Sequence, residues 1–391
     1  MIEISNLRRY ATGGGVVRLE ATIKFTDMTA QAPADKLWFD LDARVGGMFV
    51  DDTYDPFMLI GLYLAMYNHT DLTIRGNVSK KLYKNLSWYV PKILCDFSDK
   101  LSPAKISVEG FAPTAAHGRL IGTGISCGVD SLSTLYDRFV KEDDPDYKVN
   151  ALFLFNCGSH GDFGASHTQK VFRSRAERAR AVADELNLPL IVMDSNIHLF
   201  RHEDDKATLL YLAFYSCLLS LQNAIRRYYV PSSREYSEIK GPWHYDLAGF
   251  ADSYLVPLMQ TERTELIIDG CQHRRVDKTK NIADWNIAQK YLNVCLLQKE
   301  TDSTNCGKCS KCLRTLLALE ILGKLDDFAN VFDIEAYKKA SLNYKVQTLA
   351  NVDSEVFFRE NVDLAAEFNF PMPTRKDCYV LGSNVVVVND K

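Results

Sequence analysis

Leu120-Ile121-Gly122-Thr123-Gly124-Ile125-Ser126-Cys127-Gly128-Val129-Asp130-Ser131 decides the fold class. The first half reads as a short buried strand and the run from Leu132 to Val140 as a helix, with small residues at the turn between them. Such a turn exposes unpaired backbone N–H groups and the positive end of the helix dipole. It therefore suits phosphate, with the hydroxyls of Ser126 and Ser131 as further donors. Asp130 repels phosphate unless a cation intervenes, which predicts Mg2+ between its carboxylate and the phosphate oxygens. The alternative is a plain helix cap, in which Asp130 or Ser131 satisfies the helix end and nothing binds.

Outward from this stretch, Ala151 to Asn156 and Leu190 to Met193 read as two more apolar strands. Between them Phe172, Ala176, Ala179, Ala183 and Leu186 recur at helical spacing, with Arg and Glu on the other face. Three strand-to-helix units predict a doubly wound parallel α/β domain over residues 116–226, with ligands at the carboxyl ends of the strands, near Ser126, Asn156 and Asp194. Asp194-Ser195-Asn196 also fits an ordinary turn. His160 and His167 suit phosphate or proton handling, or a structural role.

Residues 1–115 read as an N-terminal α+β domain with helices near 55–67 and 79–95 and no evident chemistry. Gly13-Gly14-Gly15 there suits a hairpin turn better than a phosphate cradle. Leu209 to Leu221 reads as a buried helix too short for a bilayer. Residues 227–391 read as an α-rich C-terminal part, with Tyr228 to Ser233 a loop, a helix stopping near Gly323, and Asn384 to Val388 an isolated strand-like run.

Cys295 followed by Cys306-Gly307-Lys308-Cys309-Ser310-Lys311-Cys312 gives a C-x10-C-x2-C-x2-C spacing. Four thiolates suit a closed, structural tetrahedral Zn2+ site, and the helix led by Cys312 would be pinned by it. An iron–sulfur cluster and buried free thiols are the alternatives.

Ten Cys among 391 residues is not the density of a disulfide scaffold. With 46 Lys plus Arg against 50 Asp plus Glu, the net charge of −4 supplies no global field for nucleic acid or anionic membrane, although a local basic pocket stays open. The opening Met1-Ile2-Glu3-Ile4-Ser5 lacks the pattern of a secretory signal, so a cytoplasmic protein with no membrane association is expected.

The loop Ser126-Cys127-Gly128-Val129-Asp130-Ser131 resembles that of the PP-loop ATP pyrophosphatase superfamily, Ser-Gly-Gly-x-Asp-Ser, departing at Cys127. Joined to the four-cysteine spacing, the resemblance narrows to 7-cyano-7-deazaguanine synthase and its relatives, over about residues 118 to 325. It implies an adenine nucleotide alpha hydrolase-like fold binding ATP and Mg2+ at Ser126, Cys127, Gly128, Val129, Asp130 and Ser131, with Asn156 and Gly158 near adenine and ribose. Asp130, Ser131 and Lys278 are the implied catalytic residues, with Arg275, Lys280 and Arg314 as further cations and Cys295, Cys306, Cys309 and Cys312 as zinc ligands. The implied reaction is adenylation of a carboxylate, releasing pyrophosphate, then amide or nitrile formation with release of AMP. The expected substrate is a small-molecule carboxylate of 7-deazaguanine type, or that acid joined to an amine on a protein partner or protein substrate, in a homo-oligomer. A tRNA-modifying PP-loop enzyme and a catalytically weak nucleotide-binding scaffold are the alternatives; the charge balance weighs against nucleic acid.

Overall fold

The computed structural model describes residues 1–26, 32–113, 117–158, 168–238, 247–295, 304–373, 378–381 and 384–387. His160 and His167 lie outside them. The chain forms two compact units: Met1–Gly124, Glu142–Ser232 and Tyr236–Asp269 make the first, and Ile125–Lys141, Ser233–Glu235 and Gly270–Lys391 the second.

The first unit is built on one ten-stranded sheet. Its strands are β1 (Ile2–Gly13), β2 (Val16–Phe25), β3 (Lys36–Asp42), β4 (Leu72–Val78), β5 (Ile106–Phe111), β6 (Leu120–Gly124), β7 (Ala151–Phe155), β8 (Leu190–Ser195), β9 (Ile225–Pro231) and β10 (Glu265–Asp269). The order is β10-β9-β6-β7-β8-β3-β2-β1-β4-β5. From β10 to β8 every pairing is parallel. Numbered from β6, this half has the order 3-2-1-4-5, compatible with a Rossmann-like, doubly wound domain. Gly122 makes room for it: a Cβ there would come within 2.3 Å of the Phe153 ring.

The antiparallel β1-β2-β3 run, turned at Gly13 to Gly15, joins this half through Phe39, Asp40 and Leu41 of β3 beside Ser195, Asp194 and Met193 of β8. The compact units therefore do not follow the expected boundaries at 115 and 226. The expected loop from Tyr228 to Ser233 is corrected too, since β9 extends to Pro231. Ile225, Arg227, Tyr228, Tyr229 and Val230 are all buried, so the strand shows no alternation of polar and apolar residues, and the Pro-Ser-Ser punctuation marks its end.

Helices α1 (Asp55–Tyr67) and α6 (Lys206–Leu219) are buried on nearly every side and pack on each other, as a helix apolar all round must. Ser216 Oγ donates to Pro56 O across that contact at 2.5 Å. Buried Asp55 accepts from Ser79 N and from Gln222 Nε2, both at 2.7 Å, and from Ser79 Oγ. The helix expected near 79–95 is two, α2 (Lys80–Trp88) and α3 (Val90–Phe97), because Pro91 cannot donate in a helix interior and instead opens α3. Helix α5 (Thr168–Glu185) connects β7 to β8, and two short helices, α7 (Leu247–Phe250) and α8 (Asp252–Leu255), precede β10.

The second unit holds α4 (Val129–Leu135), which continues as a π-helical segment Tyr136–Lys141, then α9 (Arg275–Ile282), α10 (Asn286–Tyr291), α11 (Ser310–Ile321), α12 (Ile334–Ala350), α13 (Val356–Glu367) and a hairpin of β11 (Cys378–Leu381) and β12 (Asn384–Val387). Helices α9, α11 and α13 pack together over Val276, Leu317, Ala318, Ile321 and Leu364. No helix among the described residues is long and apolar enough to cross a membrane.

Candidate functional site

The loop after β6 opens α4. Gly128 is the N-cap, and its carbonyl accepts from Leu132 N at 3.0 Å. Ser126 Oγ lies 3.1 Å from Ser131 Oγ and accepts from Gly128 N at 3.3 Å, while Ser131 Oγ donates to Gly128 O at 3.1 Å. Both hydroxyls read as phosphate donors are thus engaged within the loop. Val129 is buried and starts the helix.

Cys127 stands at φ +59°, in the left-handed region that costs an L-residue about 1–2 kcal/mol. Its thiol is buried, and its carbonyl accepts from Asn293 N at 2.7 Å. This hydrogen bond holds the backbone in that strained conformation.

Asp130 projects from the first turn of α4 to α9. Arg275 NH2 lies 2.9 Å from its Oδ2 and Lys278 Nζ 3.5 Å from its Oδ1. Arg275 and Lys278 are three apart and share one helix face. Arg275 also sits in the first turn of α9, where the helix dipole disfavours a cation and a nearby carboxylate compensates. The Lys278 side chain is 1% exposed. Asp130 Oδ1 and Arg275 Nε are buried and make no hydrogen bond among the described residues, which leaves them open to a ligand, ion or water.

Three guanidinium groups surround the Phe357 ring of α13. Arg314 of α11 lies 4.0 Å from its centroid, Arg234 5.0 Å and Arg275 5.6 Å. Burial, and then the Arg275 charge, push the Arg314 guanidinium down to about 10, with Asp130 acting in the opposite direction. Of the cations expected here, Arg275, Lys278 and Arg314 meet; Lys280 is exposed, with its Nζ 5.1 Å from the Phe368 ring. Arg234 and Phe357 were not expected. They lie in distant parts of the sequence, and no local pattern announces them.

In the first unit, Asn156 and Asp194 occupy neighbouring strand ends, Asn156 Nδ2 donating to Asp194 Oδ1 at 2.7 Å and Ser195 Oγ to Asn156 O at 2.7 Å. Gln169 Nε2 donates to Asp194 Oδ2 at 3.2 Å. Asn196 is structural: it accepts from Trp38 N and donates to Lys36 O, both at 2.8 Å, and so completes the edge of β3. Gly158 takes a positive φ of +97°, as the turn after β7 requires.

The four cysteines do converge. The sulfurs of Cys295, Cys306, Cys309 and Cys312 all lie within 4.8 Å of one another and can hold a metal ion. Cys306 to Cys312 measures 3.9 Å, Cys309 to Cys295 4.0 Å and Cys309 to Cys312 3.4 Å. A tetrahedral ion with metal–sulfur bonds of about 2.3 Å needs edges of about 3.8 Å, so the donor set fits zinc. Cys309 N points at Cys306 Sγ at 3.4 Å, closing the knuckle. Gly307 is required twice over: its φ is +65°, and a Cβ there would meet Asp333 O at 2.1 Å. Burial and the neighbouring thiols push the Cys312 thiol up, a penalty on ionisation that a bound cation offsets.

Asn305, absent from the sequence expectations, clips the cluster together. Its Oδ1 accepts from Val294 N at 2.8 Å and Cys295 N at 3.0 Å; its Nδ2 donates to Leu292 O at 2.8 Å and Val331 O at 2.7 Å. Asn293, which holds Cys127, is two residues from Cys295. The segment from Asn293 to Cys295 thereby connects the loop to the cysteine cluster. No family model, curated protein or solved structure matches the chain.

Proposed function

We propose that the protein is an ATP-dependent ligase that activates a carboxylate by adenylation. The observation that carries this reading is the convergence of the loop carboxylate Asp130 with Arg275 and Lys278, beside Arg314 and Arg234 around Phe357. Backbone N–H groups at the start of α4 and these cations suit a polyphosphate, holding the pyrophosphate as it leaves. A carboxylate oxygen attacks the α-phosphorus, the bond to the bridging oxygen breaks, and pyrophosphate departs. An amine nitrogen then displaces AMP from the acyl carbon and loses a proton, leaving an amide. In the deazaguanine-type reading, the amide oxygen attacks the α-phosphorus of a second ATP, releasing pyrophosphate, and the C–O bond then breaks, so that AMP carries the oxygen away and the nitrogen, having lost both protons, is left as a nitrile.

Asp130 Oδ1, buried, outside any hydrogen bond and 3.5 Å from Lys278 Nζ, is the atom that suits Mg2+, which when bound would offset charge on the phosphate oxygens. Lys278 and Arg275 then turn from Asp130 toward the phosphates. Zinc in the four-cysteine site is structural in this scheme, since all four positions are thiols and none is left open for substrate.

ATP binding to the full chain, measured by titration calorimetry, tests the site. Arg275→Ala and Arg314→Ala are each expected to weaken it at least about tenfold, as loss of a charge-assisted contact of 1.5–3 kcal/mol requires. Unchanged affinity in both variants, or no binding by the unaltered chain, overturns the assignment.

A further inference from the structure

The α2 surface of the first unit is not used by the proposed chemistry. Leu82 and Leu86 bury one side of α2, while Lys80, Lys84 and Trp88, spaced by four, form a stripe on the other. Trp88 is 72% exposed and the adjoining Tyr89 58%. Phe111, at the end of the edge strand β5, is 42% exposed and meets the Tyr83 ring edge-on at 5.4 Å. Lys80 Nζ lies 5.9 Å from the Phe111 centroid and Lys84 Nζ 6.0 Å from that of Tyr83. Neither lysine makes an ion pair among the described residues. Their neighbours are occupied: Lys81 donates to Gln260 Oε1 at 3.1 Å, and Lys92 is paired with Asp96.

We propose that this surface binds single-stranded nucleic acid. Unstacked bases offer flat faces to Trp88, Tyr89 and Phe111, and the phosphates between them meet Lys80 and Lys84. With a net charge of −4 the protein offers phosphates no general attraction, so affinity rests on stacking, which unpaired bases supply and a duplex does not. An acidic protein segment would meet the lysines but leave the rings without flat partners.

Fluorescence anisotropy with the full chain and labelled single strands of mixed sequence, one of RNA and one of DNA, tests this against a duplex of the same sequence. Either strand is expected to bind, and the duplex more weakly. Trp88→Ala should weaken single-strand binding by about tenfold, as loss of one stacked base requires. Lys80→Glu with Lys84→Glu should weaken it and flatten the logarithmic salt dependence by about 1.4, for two phosphate contacts. Both variants should keep the melting temperature and circular dichroism of the unaltered chain, which confirms that they fold. Failure of both strands to bind, binding that these substitutions leave unchanged, or displacement by polyglutamate as effective as by unlabelled strand overturns the proposal.

Discussion

At the scale of the residue, polar groups in the first unit are satisfied by partners far away in sequence, and Asp55 shows what this does to a charge. Burial pushes its carboxyl above the ordinary range, and the hydrogen bonds from Ser79 and Gln222 only partly oppose that. A carboxyl whose folded pKa exceeds its unfolded value near 3.9 stabilises the fold fully below that pH, and the contribution is lost as pH rises toward the folded value. Asp55→Asn has the same shape and no ionisation, and the rotatable Ser79 hydroxyl can accept from the new amide. The variant's melting temperature relative to the unaltered chain should therefore be higher at pH 7.5 than at pH 4.5. A difference that falls with pH would show that Asp55 is held as a stabilised anion. Cys127 carries a related lesson: a non-glycine residue is held in the left-handed backbone region, with its carbonyl accepting from Asn293 N.

At the scale of the element, local signals in the sequence were strong where one strand and one turn sufficed. The three strands β6, β7 and β8, the buried helix α6, the loop from Ser126 to Ser131 and the cysteine spacing are all visible as periodicity or short-range pattern. Strand β9 was hidden because both its faces are buried. The Arg234–Phe357 contact was hidden because it sets the segment after β9 against α13, more than a hundred residues on, and Asn305 because a lone Asn before a cysteine has no pattern of its own. The same packing joins the cysteines to the loop. Asn305 holds Cys295, and Asn293 holds the Cys127 carbonyl. Stripping the metal with a chelator should therefore lower ATP affinity by at least about tenfold, alongside the melting temperature, and Asn305→Leu, which leaves Val294 N, Cys295 N and Leu292 O without their side-chain partner, should cost about 3 kcal/mol or more and weaken metal retention. Calorimetry on metal-depleted and zinc-restored protein checks this. ATP affinity unaffected by complete metal removal would uncouple the two sites.

At the scale of the whole molecule, the ten-stranded sheet makes residues 1–115 part of the same fold as the Rossmann-like half. This was illegible from sequence because the joining pair, β3 with β8, sets residues near 40 beside residues near 194, and no local pattern records such a pairing. It also predicts that a chain beginning at residue 117 does not fold alone. Removal of β3 bares the edge of β8, and removal of α1 strips the apolar cover from α6, leaving an unpaired strand and a large apolar face. Size-exclusion chromatography should show aggregate, whereas a monodisperse shortened chain with native-like circular dichroism would mean that the N-terminal strands are dispensable.

Product analysis with α-labelled ATP bears most directly on function. The full chain, Mg2+, ammonium and a 7-deazaguanine carboxylic acid should yield AMP in proportion to the acid, with none formed by Asp130→Ala. Release of ADP in place of AMP, or AMP formed equally by Asp130→Ala, would contradict adenylation at the Asp130, Arg275 and Lys278 cluster.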